Sequence, residues 1–489
     1  MNAPLTPNLA PWNGRVFCGR WVEPVGGETD IVEPATGRTL GRIGLAAAED
    51  VDRAAGHAAE VRAAWAATPF TRRAAVMREA ARLLMARAET FIDWNVREAG
   101  SIPPKAQWEL DATHEQLLMA AALPMQPCGQ LFPSERPGRR NLWRRVPVGT
   151  VGVIAPWNFP LLLAMRSVAP ALALGNAVLL KPDAQTAVTG GALIAQLFQD
   201  AGLPEGVLQV LPGGPATGDA VVRHAQVEMI SFTGSTATGR LIGETCGRLL
   251  KKVALELGGN NAMVILDDAD LDAASSCAAW GAFLHQGQIC MQAGRHLVHR
   301  RVAEAYAERL ARRAEALQVG DPAAGPVHLG PIINPRQRDR VMDIVRRSVE
   351  QGATVRTGGT SEGLFVRPTV LTGVTPDMPA FTEEIFGPVA PITVFDSDEE
   401  ALALVHASAC GLSAAVHGRD IARATALAER MKVGMVHVND QTVNNEFHIP
   451  FGGMGQSGNG GRFGGPANLE EFTQTQWISV ADRAITYPF

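Results

Sequence analysis

The 489-residue sequence has few of the features that mark secreted, membrane-spanning or nucleic-acid-binding proteins. Its six cysteines are scattered and form no CxxC pair, which suits reduced thiols in a cytosol better than a disulfide framework. No run of about eighteen uncharged apolar residues is present, so no membrane-spanning helix is predicted. Residues 1–14 lack the basic and apolar parts of a signal peptide. A formal net charge of -5 argues against a nucleic-acid or membrane partner, and we expect a cytoplasmic protein.

What the sequence does contain is a regular alternation of predicted strands and helices. A chain of 489 residues is too long for one core and predicts two or three domains. A first series of strands is predicted at 151–156, 177–181, 207–211, 228–232 and 252–257. A second series has strands near 262–266, 296–299, 392–395 and 435–438. This alternation is typical of α/β proteins with doubly wound parallel sheets, the first of the dinucleotide-binding kind.

The remaining segments complete the predicted organisation. Residues 49–98 have a helical pattern that Pro69 splits in two, and a third helix is expected from about 104 to 123. Residues 124–147 hold five prolines and lack helical periodicity, which predicts an extended arm or hairpin. Residues 471–480 are a strand candidate that pairs with this arm or with another subunit.

These patterns predict three structural units. The domains expected are a dinucleotide-binding domain from 1–123 and 148–258, a second α/β domain from 259–448 that carries the chemistry of Cys290, and a small β arm from 124–147 and 470–489.

Cys290 lies in the stretch WGAFLHQGQICMQAGR, residues 280–295, just after the apolar end of a predicted helix. Gly287 and Gln288 favour a turn before it and small residues follow it, so we expect the thiol on a loop that faces a cleft. A thiolate there could attack an electrophilic carbon if its proton is removed. A single cysteine is more often a buried structural residue, so the nucleophile interpretation depends on the other candidate residues.

Two polar residues at predicted strand ends are the candidate partners of Cys290. Glu256 closes the apolar strand KVALEL, where a buried carboxylate is costly unless it is paired or functional. Burial would raise its pKa toward neutrality and suit it to general base catalysis; the alternative is a salt-bridged structural glutamate. Asn158, in PWNFP, could donate to a developing oxyanion together with the Cys290 N–H. Its alternative role is that of a turn or N-cap residue.

Other residues at strand ends suggest a site for phosphate and ribose groups. Gly234 and Gly239, in FTGSTATG, follow a predicted strand and open a helix, where backbone N–H groups can bind phosphate. The motif is not GxGxxG, and an ordinary strand-to-helix turn is an equal alternative. Lys181 ends a strand and could reach ligand hydroxyls or phosphates, although a surface lysine is the simpler interpretation.

Two further patterns are expected to be structural. The acidic run DDADLD, residues 267–272, resembles a cation site, but aspartate at a strand-to-helix junction usually caps the helix. His285, His296 and His299 lack the spacing of metal ligands, and no metal is expected.

Taken together, these segments resemble the aldehyde dehydrogenase superfamily. The matching motifs, in the family's order, are PWNFP (156–160), LKP (180–182), FTGSTATG (232–239), LELGG (255–259), GQIC (287–290), EEIFGP (383–388) and PFGG (450–453). Each motif alone is weak, but the ordered set over about 300 residues is specific. Within the superfamily, the chain is similar nearly end to end to the bacterial benzaldehyde dehydrogenase branch.

The resemblance implies oxidation of an aldehyde to its carboxylic acid. Cys290 would form a thiohemiacetal with the aldehyde, Asn158 and the Cys290 N–H would hold the oxyanion, and Glu256 would activate the water that hydrolyses the resulting thioester. The cofactor residues that the resemblance implies are Trp157, Lys181, Gly213, Gly234, Ser235, Gly239, Leu257, Glu384 and Phe386. NAD is the expected cofactor. NADP stays possible because Ala184 stands where strict NAD users carry a glutamate, although Asp183 is adjacent.

The expected substrate is a small aromatic aldehyde, benzaldehyde or a substituted form of it. An aryl ring fits the apolar residues near the thiol and the asparagine, since it gains from burial and offset stacking. The predicted tunnel residues are Phe159, Leu162, Leu163, Ile289, Met291 and Phe451. If Arg166 faced the tunnel, an acidic semialdehyde would be favoured instead.

Three alternatives stay open: a dehydrogenase for aliphatic aldehydes or acidic semialdehydes, a non-catalytic cofactor-binding protein, and a thiol esterase. The resemblance also implies that the β arm assembles a homodimer or homotetramer.

Overall fold

The computed structural model describes residues 10–489, so the first residues of the predicted N-terminal domain lie outside the described part. The helices are α1 Ala48–Ala67, α2 Phe70–Ala86, α3 Ala88–Ala99, α4 Pro103–Ala122, α5 Pro160–Ala173, α6 Leu193–Asp200, α7 Pro215–Arg223, α8 Thr236–Arg248, α9 Leu271–Phe283, α10 Ala303–Glu315, α11 Pro335–Glu350, α12 Pro379–Thr382, α13 Asp398–His406, α14 Ile421–Ala428 and α15 Ala467–Glu471.

The strands are β1 Val16–Cys18, β2 Trp21–Val22, β3 Glu28–Val32, β4 Thr39–Gly44, β5 Gly129–Phe132, β6 Arg139–Pro147, β7 Thr150–Ile154, β8 Ala177–Lys181, β9 Leu208–Val210, β10 Met229–Gly234, β11 Lys252–Leu257, β12 Ala262–Ile265, β13 Arg295–His299, β14 Thr354–Thr357, β15 Ser361–Glu362, β16 Phe365–Val366, β17 Thr369–Thr372, β18 Val389–Phe395, β19 Cys410–Gly411, β20 Ser413–His417, β21 Met435–Val438, β22 Met454–Gly455 and β23 Thr473–Ala481.

The first large sheet has the strand order β11-β10-β7-β8-β9-β1-β2. Strands β7 to β11 are parallel to their neighbours, and the short edge strand β1 is antiparallel to β9. The first parallel strand, β7, therefore lies between β8 and β10, which makes a topological switch point. Ligands of such sheets bind at the carboxyl ends of the strands beside the switch point. The predicted doubly wound α/β fold is confirmed.

The second large sheet has the order β14-β17-β18-β13-β12-β20-β21 and is parallel except at β14. Four of its strands coincide with the predicted series. Strands β14, β17 and β20 were not predicted, because their short Thr- and Ala-containing segments show no clear two-residue period. The chain passes directly from β11 of the first sheet to β12 of the second, so the carboxyl edge of one sheet adjoins the amino edge of the other.

The β arm is a three-stranded sheet of order β23-β6-β5. Strand β23 pairs antiparallel with β6 over its whole length, from Thr473 opposite Pro147 to Ala481 opposite Arg139. The predicted tail strand therefore pairs with the 124–147 hairpin of its own chain, which was one of the two predicted arrangements.

Two helical predictions need correction. Residues 49–98 form three helices rather than two, because the chain breaks at Arg87 as well as at Pro69. The stretch predicted as one helix after Thr186 begins as a π-helix, Val188–Ala192, before α6. Single-sequence periodicity does not register such changes of helix type.

Each large sheet is covered on both faces by apolar clusters, which is why its strands read as continuous hydrophobic runs. Among residues 10–489, no helix has both the length and the hydropathy needed to cross a bilayer.

Candidate active site

The carboxyl edge of the first sheet collects most of the residues expected to bind a cofactor. Lys181 ends β8, Gly234 ends β10 and Leu257 ends β11, while Gly213 follows β9. Because neighbouring parallel strands end at the same edge, these residues line one groove.

Ser235 is the N-cap of α8, and its hydroxyl accepts a hydrogen bond from the Thr238 N–H. A Cβ on Gly239 would collide with the Leu257 side chain, so this glycine allows α8 to pack closely against β11. Because α8 begins where β10 ends, the N-terminus of α8 and its N–H groups face the groove. This arrangement suits the pyrophosphate of a dinucleotide.

Lys181 is buried, and burial lowers its pKa while the charge of Asp183 opposes that change. The Asp183 carboxylate accepts hydrogen bonds from the backbone and side chain of Gln185. A buried cation at a strand end costs free energy unless a ligand or a carboxylate faces it, so the simple surface interpretation of Lys181 does not hold.

Glu384 and Phe386 bring the second sheet to the same groove. Glu384 Oε1 accepts a hydrogen bond of 3.1 Å from the Gly259 N–H, and burial raises the pKa of Glu384 to about 7. A Cβ on Gly258 would collide with the Glu384 carboxylate. Phe386 has a left-handed backbone, with φ of 53°, and its ring packs edge-on against Trp157 at 5.5 Å between centroids. These residues would close the nicotinamide end of a cofactor cleft.

The candidate nucleophile lies in a loop of residues 284–294, named here the cysteine loop. After α9 the chain turns through three left-handed residues, His285, Gln286 and Gly287, with φ values of 48°, 57° and 68°. For the two residues that are not glycine, this conformation costs about 1–3 kcal/mol each and persists only when contacts enforce it. Gln286 provides one such contact by donating to the Gly100 carbonyl at 3.0 Å.

Asn261 fixes the other side of the cysteine loop. Its Nδ2 donates to the carbonyls of both Cys290 and Gln292 at 2.8 Å, and its Oδ1 accepts from the Ser413 N–H at 2.9 Å. Residue 290 is thereby held at the amino edge of the second sheet. Sequence reasoning did not identify Asn261, although its position two residues after LELGG was an available signal.

Cys290 is a free and partly exposed cysteine. Burial of its sulfur, with smaller contributions from the charges of Glu256 and Glu384, raises the pKa of Cys290 to about 12 against the opposing charge of Arg166. A thiol with such a pKa is protonated at neutral pH. Nucleophilic attack therefore needs a base that removes the proton.

Asn158 follows β7 and is buried against the cysteine loop. Its Nδ2 donates to the Gln288 carbonyl at 2.9 Å, two residues before Cys290. An amide has a second N–H, which stays available to an oxyanion. The side chain caps no helix: the N-cap of α5 is Phe159. The geometry favours the donor role over the cap role.

Glu256 is the penultimate residue of β11, and its carboxylate is almost fully buried. Neither carboxylate oxygen has a hydrogen-bond partner within residues 10–489. The nearby Gly453 N–H only lowers the pKa of Glu256 by a small contribution. Burial raises the pKa of Glu256 to about 8, against the charges of Arg166 and Arg462. A buried, unpartnered carboxylate with a near-neutral pKa has the properties of a general base, and no salt bridge of Glu256 occurs in the described chain.

Arg166 is the charged residue nearest to this chemistry along α5. It is buried, and its guanidinium lies 4.2 Å from the centroid of the Phe451 ring. Burial lowers its pKa, while the charges of Glu256 and Cys290 oppose that change. Arg166 therefore faces the catalytic candidates rather than the back of the helix.

The six predicted tunnel residues belong to one apolar cluster, against which Cys290 packs. The cluster contains Ala112, Phe159, Leu162, Leu163, Ile289, Met291, Leu412 and Phe451, with Leu284, Met435, Val443 and Phe447 at its border. A cavity next to it is lined by Arg166 and Phe451 together with Gln116, Met119, Asn445 and Phe447. These last four residues were not predicted, because they come from α4 and from an irregular segment with no motif.

Asp270 of the acidic run and His296 make structural contacts. Asp270 caps α9 by accepting from the N–H groups of Asp272 and Ala273. His296 contacts the Tyr306 hydroxyl at 2.8 Å, and burial lowers the pKa of His296 to about 4. The described residues contain no cluster of His, Cys, Asp or Glu side chains arranged to hold a metal ion.

The fold and the site together define a class of protein: an α/β enzyme in which a dinucleotide-binding sheet faces a loop with a candidate cysteine nucleophile. Residues 21–478 match the model of the aldehyde dehydrogenase family. The chain is 60% identical over 478 residues to a benzaldehyde dehydrogenase [NAD(+)] from Pseudomonas putida, covering 98% of each chain. It is 54% identical to a vanillin dehydrogenase from Amycolatopsis sp., again covering 98% of each chain.

Among solved structures, a betaine aldehyde dehydrogenase from Staphylococcus aureus in complex with NAD+ superposes with a TM-score of 0.94 at 29% identity, covering 98% of this chain and 97% of the other. The chain belongs to the aldehyde dehydrogenase family.

Proposed function

We propose that this protein oxidises an aromatic aldehyde, benzaldehyde or a substituted benzaldehyde, to the carboxylic acid with NAD+ and water. The observation that carries the proposal is the convergence of Cys290, Asn158 and Glu256 beside one apolar cluster at the edge of a dinucleotide-binding sheet. The names and identities of the two relatives support the aryl substrate and the cofactor. A non-catalytic role is disfavoured because an unpartnered buried carboxylate destabilises a fold that does not use it.

The chemistry follows from the positions of the side chains. The Cys290 sulfur attacks the aldehyde carbon while its proton passes to the ionised Glu256 carboxylate, which then releases that proton to solvent, and the carbonyl oxygen becomes an oxyanion. The free N–H of Asn158 and the Cys290 backbone N–H stabilise that oxyanion. A nicotinamide cofactor held by Lys181, Ser235 and Glu384 would supply the hydride acceptor that this oxidation needs, and Cys290 would then carry the acyl group as a thioester. Glu256, in its ionised form, takes a proton from water, whose oxygen replaces the sulfur and releases the acid.

The cofactor cleft fits a dinucleotide through Lys181, Ser235 and Glu384, with Gly213, Gly234, Gly239 and Leu257 shaping the groove and Trp157 and Phe386 closing it. We favour NAD+ over NADP+ because the charge of Asp183 lies beside Lys181, where a ribose phosphate would be repelled.

The proposal includes a homo-oligomer assembled through the β arm, a dimer or a tetramer. The outer strands β5 and β23 expose Leu131 at 76% and Trp477 at 69% of their surface, next to the half-exposed Phe132. Exposed apolar side chains on edge strands favour association with another chain. A cytoplasmic location is proposed on the six free cysteines.

A second candidate substrate class, an acidic semialdehyde, is supported by the buried Arg166 beside the cavity. The aryl and acidic substrate proposals are distinguished by measuring kcat/KM for a panel of aryl, alkyl and carboxylated aldehydes, each with NAD+ and NADP+. The aryl proposal expects benzaldehyde or a neutral substituted form of it to lead the panel. A carboxylated aldehyde in first place would replace it, and the Cys290→Ala variant is the blank for every substrate.

A further inference from the structure

Beneath Asn158 lies a buried ion pair for which the chemistry described above has no use. Lys105 and Glu109, one turn apart on α4, are joined at 2.6 Å between Nζ and Oε2, and both side chains are almost completely buried. Burying a lysine and a glutamate costs several kcal/mol per ion before their attraction is counted, so stability alone is a weak reason to keep them. Burial lowers the pKa of Lys105, and the charge of Glu109 opposes that change.

The two charged groups hold the backbone on both sides of the oxyanion donor. Lys105 Nζ donates to the Asn158 carbonyl at 2.9 Å and lies 4.2 Å from the centroid of the Phe159 ring. Glu109 Oε1 accepts from the N–H groups of Leu161 and Leu162 at 2.9 and 3.0 Å. These N–H groups belong to the first turn of α5, whose N-cap, Phe159, has no side-chain acceptor.

The remaining atoms of the pair are also held. Asn95 Nδ2 donates to Glu109 Oε2 at 2.8 Å, and the Ser101 hydroxyl donates to Asn95 Oδ1 at 2.6 Å. Because the pair is anchored to α3 and α4, it links two rigid helices to the strand-to-helix turn that carries Asn158. The Asn158 amide in turn donates to the Gln288 carbonyl in the cysteine loop.

We propose that Lys105 and Glu109 are positioning residues that set the distance between the Asn158 amide and Cys290. The proposal rests on the function proposed above. The pair touches neither substrate nor cofactor; it acts through the backbone of residue 158.

The test uses the double variant Lys105→Met/Glu109→Gln, in which no unpaired buried charge is left to unfold the protein. We expect it to bind NAD+ like the unmodified enzyme and to lose roughly 10-fold to 100-fold in kcat, as for a displaced catalytic group. Glu98→Gln is the matched control. Glu98 is a buried carboxylate on neighbouring α3 that accepts from the Val188 and Thr189 N–H groups rather than from the backbone around Asn158, and the kcat of Glu98→Gln should be unchanged.

A double-mutant cycle with Asn158→Ala separates positioning from a general structural effect. Asn158→Ala alone should lower kcat by roughly 100-fold to 1000-fold. Adding the Lys105/Glu109 changes to it should cost at most about twofold more, because there is no amide left to position. Full multiplication of the two losses would overturn the positioning role, as would a folded double variant with unmodified kcat. If Asn158→Ala and Cys290→Ala both keep full activity, the proposed function itself fails.

Discussion

Glu256 lies in the buried parallel strand β11 of the first sheet, whereas Cys290 lies in an irregular loop before β13 of the second. Strand ends are placed by ladder hydrogen bonds, which depend little on any single side chain. The cysteine loop instead contains left-handed residues and depends on Asn261 and Gln286 for its shape. The first region should therefore lose only chemistry when its polar side chains are changed, while the second should also lose geometry.

The largest effect is expected at the nucleophile. Cys290→Ala should abolish NADH formation from benzaldehyde, since no other described cysteine belongs to the apolar cluster. NAD+ binding, measured by protein fluorescence titration, should survive. Residual turnover above the level of the uncatalysed reaction would show that the sulfur is not the nucleophile.

The second largest effect on kcat is expected when the candidate base, Glu256 of β11, is replaced. Glu256→Gln keeps the size of the side chain and should lower kcat by roughly 100-fold to 10,000-fold. Because the strand positions the residue without help from its carboxylate, the melting temperature should not fall. Glu471→Gln, a change at another carboxylate whose pKa burial raises, is the control for the melting temperature alone, because the charge of Glu471 also raises the pKa of Glu256. A large fall in melting temperature for Glu256→Gln would instead indicate a structural glutamate.

The pH dependence of kcat tests the role of Glu256 while that residue stays unchanged. A general base is active when ionised, and the pKa of Glu256 is about 8, so kcat should rise with pH and level off above about 8. Arg166 is the main charge that lowers this pKa. Arg166→Met should therefore move the rising limb to higher pH, whereas Arg166→Lys should leave it nearly in place. A limb that moves to lower pH, or stays fixed in Arg166→Met, contradicts this electrostatic coupling.

Asn261→Ala tests whether the geometry of the cysteine loop depends on its side-chain contacts. Losing the two bonds to the Cys290 and Gln292 carbonyls should lower kcat roughly 10-fold through displacement of the sulfur. The rate of alkylation of Cys290 by iodoacetamide should change along with it. An equal substitution at Asn459, which bonds to the β11 backbone outside the loop, serves as the control. Equal losses for both variants would show that the loop is no more sensitive than the strand edge.

The smallest effect is expected at the β arm. Leu131→Asp should shift the protein toward smaller species in sedimentation velocity while changing kcat by about twofold or less, because Leu131 is exposed and belongs to none of the site residues described above. An unchanged mass would remove the arm from the proposed assembly.

Much of this protein was readable from its sequence. The buried strands β7 to β11 are continuous apolar runs of the right length, and that hydrophobic signal is local to each segment. The residue types of the site were readable for a similar reason: a glutamate that closes an apolar strand, as Glu256 does, carries its improbability in the sequence itself. The ordered motifs then brought Cys290, Asn158 and Glu256 together as one hypothesis.

Only the tertiary structure decided which groups meet. The Lys105–Glu109 pair lies about fifty residues from Asn158 in sequence and has no motif, yet it is bonded to that residue's backbone. The direction of Arg166, the contact of Asn261 with Cys290 and the cavity residues from 445 to 451 likewise depend on packing between distant elements. Local propensity cannot determine such contacts, because their free energy comes from burial and hydrogen bonding that exist only after the two sheets have come together.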